Sequence, residues 1–440
     1  MTIRTALIKF LMWKLELFAR LTIWRYAPGV VAITGSVGKT STKEAVREVL
    51  SRGYRVRAAA KSFNNEIGVP LTVISDVTES CGALFWFRAF LIALYRLIIR
   101  DPQYPEVLVL EYAIDRPGDM DKLVYIAAPD VAVMTAMGDV PVHVEFFTGP
   151  EEVLHEKAKL VKALAGDGFA ILNADDPKVA GVGDITNGHV ITYGFSEAAT
   201  VRLSNFRNAL EGGEAALHFK LSYKGTIVPV SIAGALGRAE CYVAGAAAAT
   251  GIAFGMNLVD IAAGLESYIP PAGRFHVVKG VKGSLLIDST YNASPLAMEE
   301  ALETMKGLKA SRKIAVLGDM LELGKFTLSA HEDLGKRAAK AADMLVAIGH
   351  AAKFIAEAAQ SAGMPKAHIH SFLTLREVAE YLEDTIKAGD LVLFKASQGV
   401  RLERVLKQFL GAAVKPEEAL VRQEEKWLGA AGLYDEGELE

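Results

Sequence analysis

The sequence predicts an α/β protein made of two successive, mostly parallel-sheet units behind an apolar helical arm, and three observations carry that prediction. A short apolar strand, VVAIT (Val30–Thr34), runs into GSVGKTST and then into the helical stretch KEAVREVLSRG, giving the order strand, glycine loop, helix. After PPAGR the chain alternates apolar strands with helical runs, in LLIDSTYNASPLAMEEALETM, KIAVLGDM, MLVAIG and DLVLFKAS, the pattern of a second doubly wound sheet. The 440 residues, 51% of them hydrophobic, suffice for two or three domains that each bury a core. The expected divisions are an arm over 1–28, a central unit over 29–272 with an apolar helical insertion at 82–100, and a C-terminal unit over 273–440.

In chain order, the arm comes first. Arg4, Lys9, Lys14, Glu16, Arg20 and Arg25 interrupt its apolar residues, and no small-residue cleavage site follows. At 100° per residue the charges fall on two opposite faces and leave two apolar flanks, as in a helix gripped on both sides. The insertion GALFWFRAFLIALYRLIIR carries Arg88 and Arg96, and it separates the glycine loop from a strand-end carboxylate expected to share one ion with it, which argues against a transmembrane span. Helices packed on each other or on a partner, and helices lying at a membrane surface, both fit these two segments. The net charge of −4 gives no bulk attraction to nucleic acid. Cys81 and Cys241 are too far apart in sequence for a thiolate metal site, which points to a reducing cytoplasm.

The loop residues Gly35, Ser36, Val37, Gly38, Lys39, Thr40 and Ser41 form a candidate phosphate site. Loop amides and a helix N-terminus face the anion, Lys39 reaches the terminal phosphates, and the Thr40 hydroxyl can ligate magnesium. Ile33 stands where the general pattern has its first glycine. Glu111 ends the apolar strand Val107–Leu110, the place where an open sheet presents ligands, and its carboxylate is either a magnesium ligand or an edge ion pair. His143 follows a further strand. Lys157 lies in EEVLHEKAKLVKAL, where periodicity does not select it over Lys159 or Lys162. The alternating stretch Thr200–Ile232 reads as antiparallel strands leading into an Ala-rich helix.

TGSVGKTS resembles the ATP loop of the Mur ligase family, the ATP-dependent amide ligases of peptidoglycan stem-peptide synthesis. KSFNNEIGVP, LVLEYAIDRPGDM, VHVEFFTGPEEVLHEKAKLV, AILNADDP, PPAGRF, IDSTYNASP, AVLGDMLELG and LFKASQGVRLERV follow in order, similar to the branch that adds D-alanyl-D-alanine. The resemblance runs from about Val30 to about Val405. It implies a central P-loop ATPase domain and a C-terminal Rossmann-like ligase domain. It also implies ATP, two Mg2+ ions held by Thr40, Glu111, His143 and a carbamylated Lys157, and catalysis by Lys39, Glu111, His143 and Lys157. Arg274, Asp288, Tyr291 and Asn292 match positions that contact the nucleotide from the C-terminal side.

By the same resemblance, a muramyl-peptide-like carboxylate would be activated as an acyl phosphate and joined to D-alanyl-D-alanine. The expected setting is the cytoplasm, peripheral at the inner face of the membrane, with membrane or protein contact through 1–28 and 82–100 and no nucleic acid. Two features depart from the pattern. Gly237, Arg238, Ala239, Glu240 and Val243 stand where ligases carry G-x-H-N and a later Asn that help hold adenine, which keeps ATP ahead of GTP only narrowly. No counterpart of the uridine-binding domain precedes Val30. Another superfamily ligase, acting on polyglutamate, folate or a tetrapyrrole side chain, and a catalytically inactive nucleotide-binding scaffold at the membrane surface are the alternative readings.

Overall fold

The computed structural model describes residues 3–59, 63–75 and 82–435, with side chains from residue 10 in the first helix and from residue 85 beyond the second gap. Lys61, Ser62 and Cys81, and the side chains of Arg4 and Lys9, lie outside the described residues. The central unit is a nine-stranded sheet of β1 (Gly29–Thr34), β2 (Val56–Ala58), β3 (Val107–Glu111), β4 (Val131–Met134), β5 (Phe169–Asn173), β6 (His189–Gly194), β7 (Val201–Glu211), β8 (Glu214–Tyr223) and β9 (Thr226–Ala233). Its order is β2-β3-β1-β4-β5-β6-β7-β8-β9, parallel as far as β7 and antiparallel from there on.

Apolar runs without alternation are expected of strands covered on both faces, and β1, β3 and β4 are buried along nearly their whole length. Val31, Ile33, Val109 and Val133 face α2 (Lys39–Leu50) and the helix Arg238–Ala253. Val30, Ala32, Leu108 and Leu110 face the other side, together with α3 (Gly68–Ile74), α5 (Asp119–Ile126) and α6 (Pro150–Lys162). Each such Val, Leu or Ile contributes about 1.5–3 kcal/mol by leaving water.

α1 (Ile3–Tyr26) and α4 (Gly82–Ile98) form an outer layer over that second face. Phe18 meets Phe90 at 5.7 Å between ring centroids, and Tyr26 stacks on Tyr104 at 4.1 Å. The Tyr26 hydroxyl donates to the Arg96 carbonyl (2.9 Å) and accepts from the Asp101 amide (2.8 Å). Only one of the two expected apolar flanks of α1 is gripped. Leu15, Ala19 and Thr22 are buried, whereas Phe10, Trp13, Leu21 and Trp24 are exposed, because the protein supplies a packing surface on one side alone. Among the described residues no helix is long and apolar enough to cross a membrane.

The C-terminal unit is a six-stranded sheet of β10 (His276–Lys279), β11 (Leu285–Asp288), β12 (Arg312–Gly318), β13 (Met344–Ile348), β14 (Ile369–Phe372) and β15 (Asp390–Lys395). The order is β10-β11-β15-β12-β13-β14, and only the edge strand β10 runs antiparallel to its neighbour. The GDMLELG block leaves β12 and is anchored from beneath by the fully buried His331. Its Nε2 accepts from the Met320 amide at 3.0 Å, while Nδ1 lies 2.6 Å from the Thr327 carbonyl, which fixes a neutral imidazole donating through Nδ1. Burial lowers the His331 pKa below its ordinary 6.5. With the folded value depressed, its contribution is complete above pH ~6.5 and declines as pH falls below that. His331→Leu strands the Met320 N–H and should cost about 1–3 kcal/mol. Thermal unfolding of the variant should also show a flatter acid limb than that of the parent chain.

Candidate active site

β1 delivers the chain into the glycine loop at Thr34, and Gly35 (φ 140°) and Gly38 (φ 85°) turn it through the left-handed region that side chains avoid. A Cβ at position 35 would lie 1.9 Å from Thr135 Oγ1. The end of β4 holds the loop in place. Ser36 N donates to the Ala136 carbonyl at 2.9 Å, and Thr135 Oγ1 donates to the Val37 carbonyl at 2.7 Å. α2 starts at Lys39 without a side-chain cap, so its first-turn amides and the positive end of its dipole face the loop, the physical requirement for binding phosphate. Lys39 Nζ folds back to donate to the Gly35 carbonyl at 2.9 Å. Burial lowers its pKa; Arg274 adds to the effect and Glu111 opposes it.

The register of β1 on β3 pairs Ile33 with Glu111, which sets the Glu111 carboxylate beside the loop. Thr40 Oγ1 donates to Glu111 Oε2 at 2.7 Å and Asn64 Nδ2 donates to Oε1 at 3.1 Å. Burial alone would raise the Glu111 pKa. Lys39, Lys43 and the two hydrogen bonds outweigh it and hold the group below the ordinary carboxylate range. The result is a buried, ionised carboxylate touching a hydroxyl, a pair of hard oxygen donors next to a phosphate loop.

Lys157, on α6, is 2% exposed and, among the described residues, has neither a hydrogen-bond nor an ion-pair partner. Burial depresses its pKa well below the usual lysine value. The Lys39 charge adds to the depression, against Asp115, Glu111 and Glu156. Lys159, two residues further on, is instead paired with Asp121 (2.6 Å) and Glu156 (2.8 Å), and Lys162 is exposed. His143 has left-handed backbone (φ 64°). Its Nδ1 lies 2.6 Å from Glu322 Oε2, in the GDMLELG block, and its Nε2 lies 3.5 Å from Asp115 Oδ1. The expected quartet is therefore only partly assembled: Thr40 and Glu111 touch, Lys157 lies within their electrostatic reach, and His143 is engaged with Asp115 and Glu322. Among the described residues no three His, Cys, Asp or Glu side chains converge on a metal-sized point.

The C-terminal unit closes the other wall of a cavity of about 430 Å3 that Lys39, Thr40, Glu111, His143, Arg274 and Lys395 all line. The Arg274 guanidinium lies 3.8 Å from the centroid of the Tyr291 ring. Asn292 lines the cavity, and its carbonyl accepts from Lys395 Nζ at 3.0 Å. Asp288 is placed differently from expectation. It is fully buried beneath this wall, with Oδ1 accepting from Thr290 N (3.0 Å) and Oγ1 (2.6 Å), so it shapes the loop from below instead of facing the cavity. Lys395 also donates to Ser289 Oγ at 3.0 Å, and burial lowers its pKa to about 8.

The residues of the altered base motif, Ala239, Glu240 and Val243, line the cavity as well. Glu240 accepts from the Tyr268 hydroxyl at 3.1 Å, and burial raises its pKa to about 7. Arg238 turns away to lie 4.0 Å from the Phe195 ring centroid. Sequence reasoning gave no individual role to Asn64, Asp115, Glu322, Tyr268 or Lys395. Asn64, Asp115, Glu322 and Lys395 sit inside quoted motif blocks, a signal that was present. Tyr268 becomes visible only through its neighbours in space.

Comparison with known proteins places this geometry. Residues 33–85 and 91–251 match the Mur ligase middle domain, and residues 273–398 match the glutamate ligase domain of Mur ligases. The UDP-N-acetylmuramoyl-tripeptide--D-alanyl-D-alanine ligase of Bacillus subtilis is 29% identical over 402 residues, 90% of this chain and 79% of its own length. The ligase of the same name from Mycobacterium leprae is 28% identical over 418 residues, 88% of this chain and 74% of its own length. Among solved structures, MurF from Acinetobacter baumannii superposes with a TM-score of 0.75 at 25% identity, over 90% of this chain and 80% of that one. The MurF ligase of Thermotoga maritima in complex with ADP gives 0.73 at 29% identity, over 90% and 82%.

Glu240 supplies a test of the cavity's electrostatics. With its folded pKa raised from 4.5 to about 7, its burial is best tolerated below pH ~4.5, and stability is lost as pH rises through about 7. Glu240→Gln removes that loss. Melting temperatures should show the variant gaining on the parent as pH is raised from about 5 to about 8.

Proposed function

Because the chain belongs to the Mur ligase family, with its middle and glutamate-ligase domains in order, we propose that it is an ATP-dependent amide ligase of peptidoglycan precursor synthesis. In this reading it activates the carboxylate of a muramyl-peptide-like acceptor as an acyl phosphate and joins it to D-alanyl-D-alanine. The observation that carries the proposal is the meeting, in one cavity, of the phosphate loop, the Thr40–Glu111 pair and the cationic groups Arg274 and Lys395 of the second unit. The names of the relatives support the two substrates, and the ADP-bound neighbour supports the nucleotide.

The reaction class requires a carboxylate oxygen to displace ADP from the γ-phosphorus, after which the amine attacks the acyl carbon and releases phosphate. Loop amides, the α2 N-terminus and Lys39 would bind the anionic end of the nucleotide. Arg274 and Lys395 would meet it from the opposite wall, so that binding draws the two units together. The donor set fits magnesium: Thr40 and Glu111 offer hard oxygens, and the ions, when bound, would neutralise charge on the phosphates.

A second ion needs further anionic oxygen, which the described carboxylates do not supply at one point. Lys157 answers that need as a carbamate. Its amine adds to the carbon of CO2, forming an N–C bond and losing a proton, and a repelling cation becomes a carboxylate-like ligand. Burial and the depressed pKa supply the neutral amine this addition requires. His143 belongs to the same site in this reading, exchanging Glu322 for it.

For location we place the chain in the cytoplasm, in peripheral contact with the inner face of a membrane, which the exposed apolar residues of α1 and α4 support. A scaffold without catalysis is disfavoured by the intact Lys39, Thr40 and Glu111 arrangement.

Phosphate release measured with UDP-muramyl tripeptide, D-alanyl-D-alanine and ATP tests the reading. Lys39→Ala should abolish turnover, and near-normal amide formation by that variant would overturn the assignment. Lys157→Ala should lose about 100-fold or more, as expected when a group stabilising the transition-state charge is removed. The parent enzyme should slow when bicarbonate is stripped and recover on its return, whereas the variant should not respond.

A further inference from the structure

α1 and α4 share a construction that the ligase reaction does not use. Each carries apolar residues on more than one side, yet each is packed against the protein on one side only. Their inner residues, Leu15 and Ala19 of α1 and Ala89 and Ala93 of α4, join the same core on one face of the nine-stranded sheet. The opposite stripes of both helices therefore point outward from that same face. Trp13, Leu21 and Trp24 on α1 and Phe87, Leu91 and Ile98 on α4 are between 38% and 80% exposed, a cluster larger than the scattered apolar residues of an ordinary surface.

Charge identifies the occupant. Residues 1–28 and 82–100 together carry +7, with Glu16 the only acid, while the whole chain carries −4, so the remainder is −11. Arg88 and Arg100 are exposed beside the α4 stripe, and Lys14 lies over the Phe10 and Trp13 rings at 5.5 and 5.0 Å. Tryptophan and aliphatic groups edged by lysine and arginine are the composition of a helix lying in the headgroup boundary of a bilayer. The absence, among the described residues, of a helix long and apolar enough to span fixes the mode as lying on the surface, not crossing it. We propose that the outer face of α1 and α4 docks on an anionic phospholipid bilayer, its aromatic and aliphatic stripes entering the headgroup boundary and its arginines meeting lipid phosphates. This deepens the peripheral placement proposed above, rests on it, and names the lipid class.

Flotation of the full chain with vesicles of phosphatidylcholine alone, and of phosphatidylcholine with phosphatidylglycerol, tests it. The chain should float with the phosphatidylglycerol vesicles only, and added salt should release it. Arg88→Gln with Arg100→Gln should lower the partition about twentyfold, and Trp24→Ser should lower it further, with phosphate release in solution unchanged in both variants. Equal flotation with both vesicle types, insensitive to salt, would overturn the anionic class while leaving the peripheral placement standing. Flotation with neither, together with a dimer in light scattering that Trp24→Glu dissociates, would overturn both and make the face a contact between copies.

Discussion

The contact between Thr40 and Glu111 is the constraint on which the rest of the structure depends. One residue opens a helix after a glycine loop; the other closes a strand 71 positions later. They meet because β1 and β3 are adjacent and parallel, in the register that pairs Ile33 with Glu111, so both strands end at the same edge of the sheet. Of the chain between them, α2 covers one face of the sheet, β2 adds an edge strand beside β3, and α3 and α4 lie over the other face. Shifting β3 by one residue would turn the carboxylate to the other face of the sheet and separate the oxygen donors.

Around that pair the charges are arranged asymmetrically. Lys39 and Lys43 stabilise the ionised Glu111, while Lys157, deeper and without a partner among the described residues, is pushed toward the neutral amine by burial and by Lys39. Lys39 thus helps hold one group charged and discourages the charge on the next. Across the cavity, Glu240 and Lys395 are each shifted by burial toward the neutral form, so the cleft is less charged than its composition suggests. A polyanionic nucleotide would find its compensation in Lys39, Arg274 and the loop amides.

Much of this was legible in the chain itself. Strand, glycine loop and helix are written in consecutive residues, and Glu111 is marked by the apolar run it terminates. Both depend on short-range pattern, which a sequence displays directly. Lys157 was less legible: Lys159 and Lys162 share its helix, and only burial against the core distinguishes the three. His143 was expected at the metal and is engaged with Asp115 and Glu322, because the loop bearing Glu322 arrives from the other unit. Asp288 was expected in the cavity and lies beneath it, a matter of side-chain direction at a strand end. The charges of α1 correctly divided it into two apolar flanks, but nothing in the pattern could tell which one the protein would cover.

The most direct test of the central pair is calorimetric titration of nucleotide into the parent chain and Glu111→Gln, with and without magnesium. The isosteric amide keeps the fold and the loop while removing the anionic oxygen, so the variant should bind nucleotide as the parent does without magnesium and lose the gain that magnesium gives the parent. An undiminished magnesium gain in Glu111→Gln would contradict the account, because it would mean that the cation is held somewhere other than between β3 and the phosphate loop.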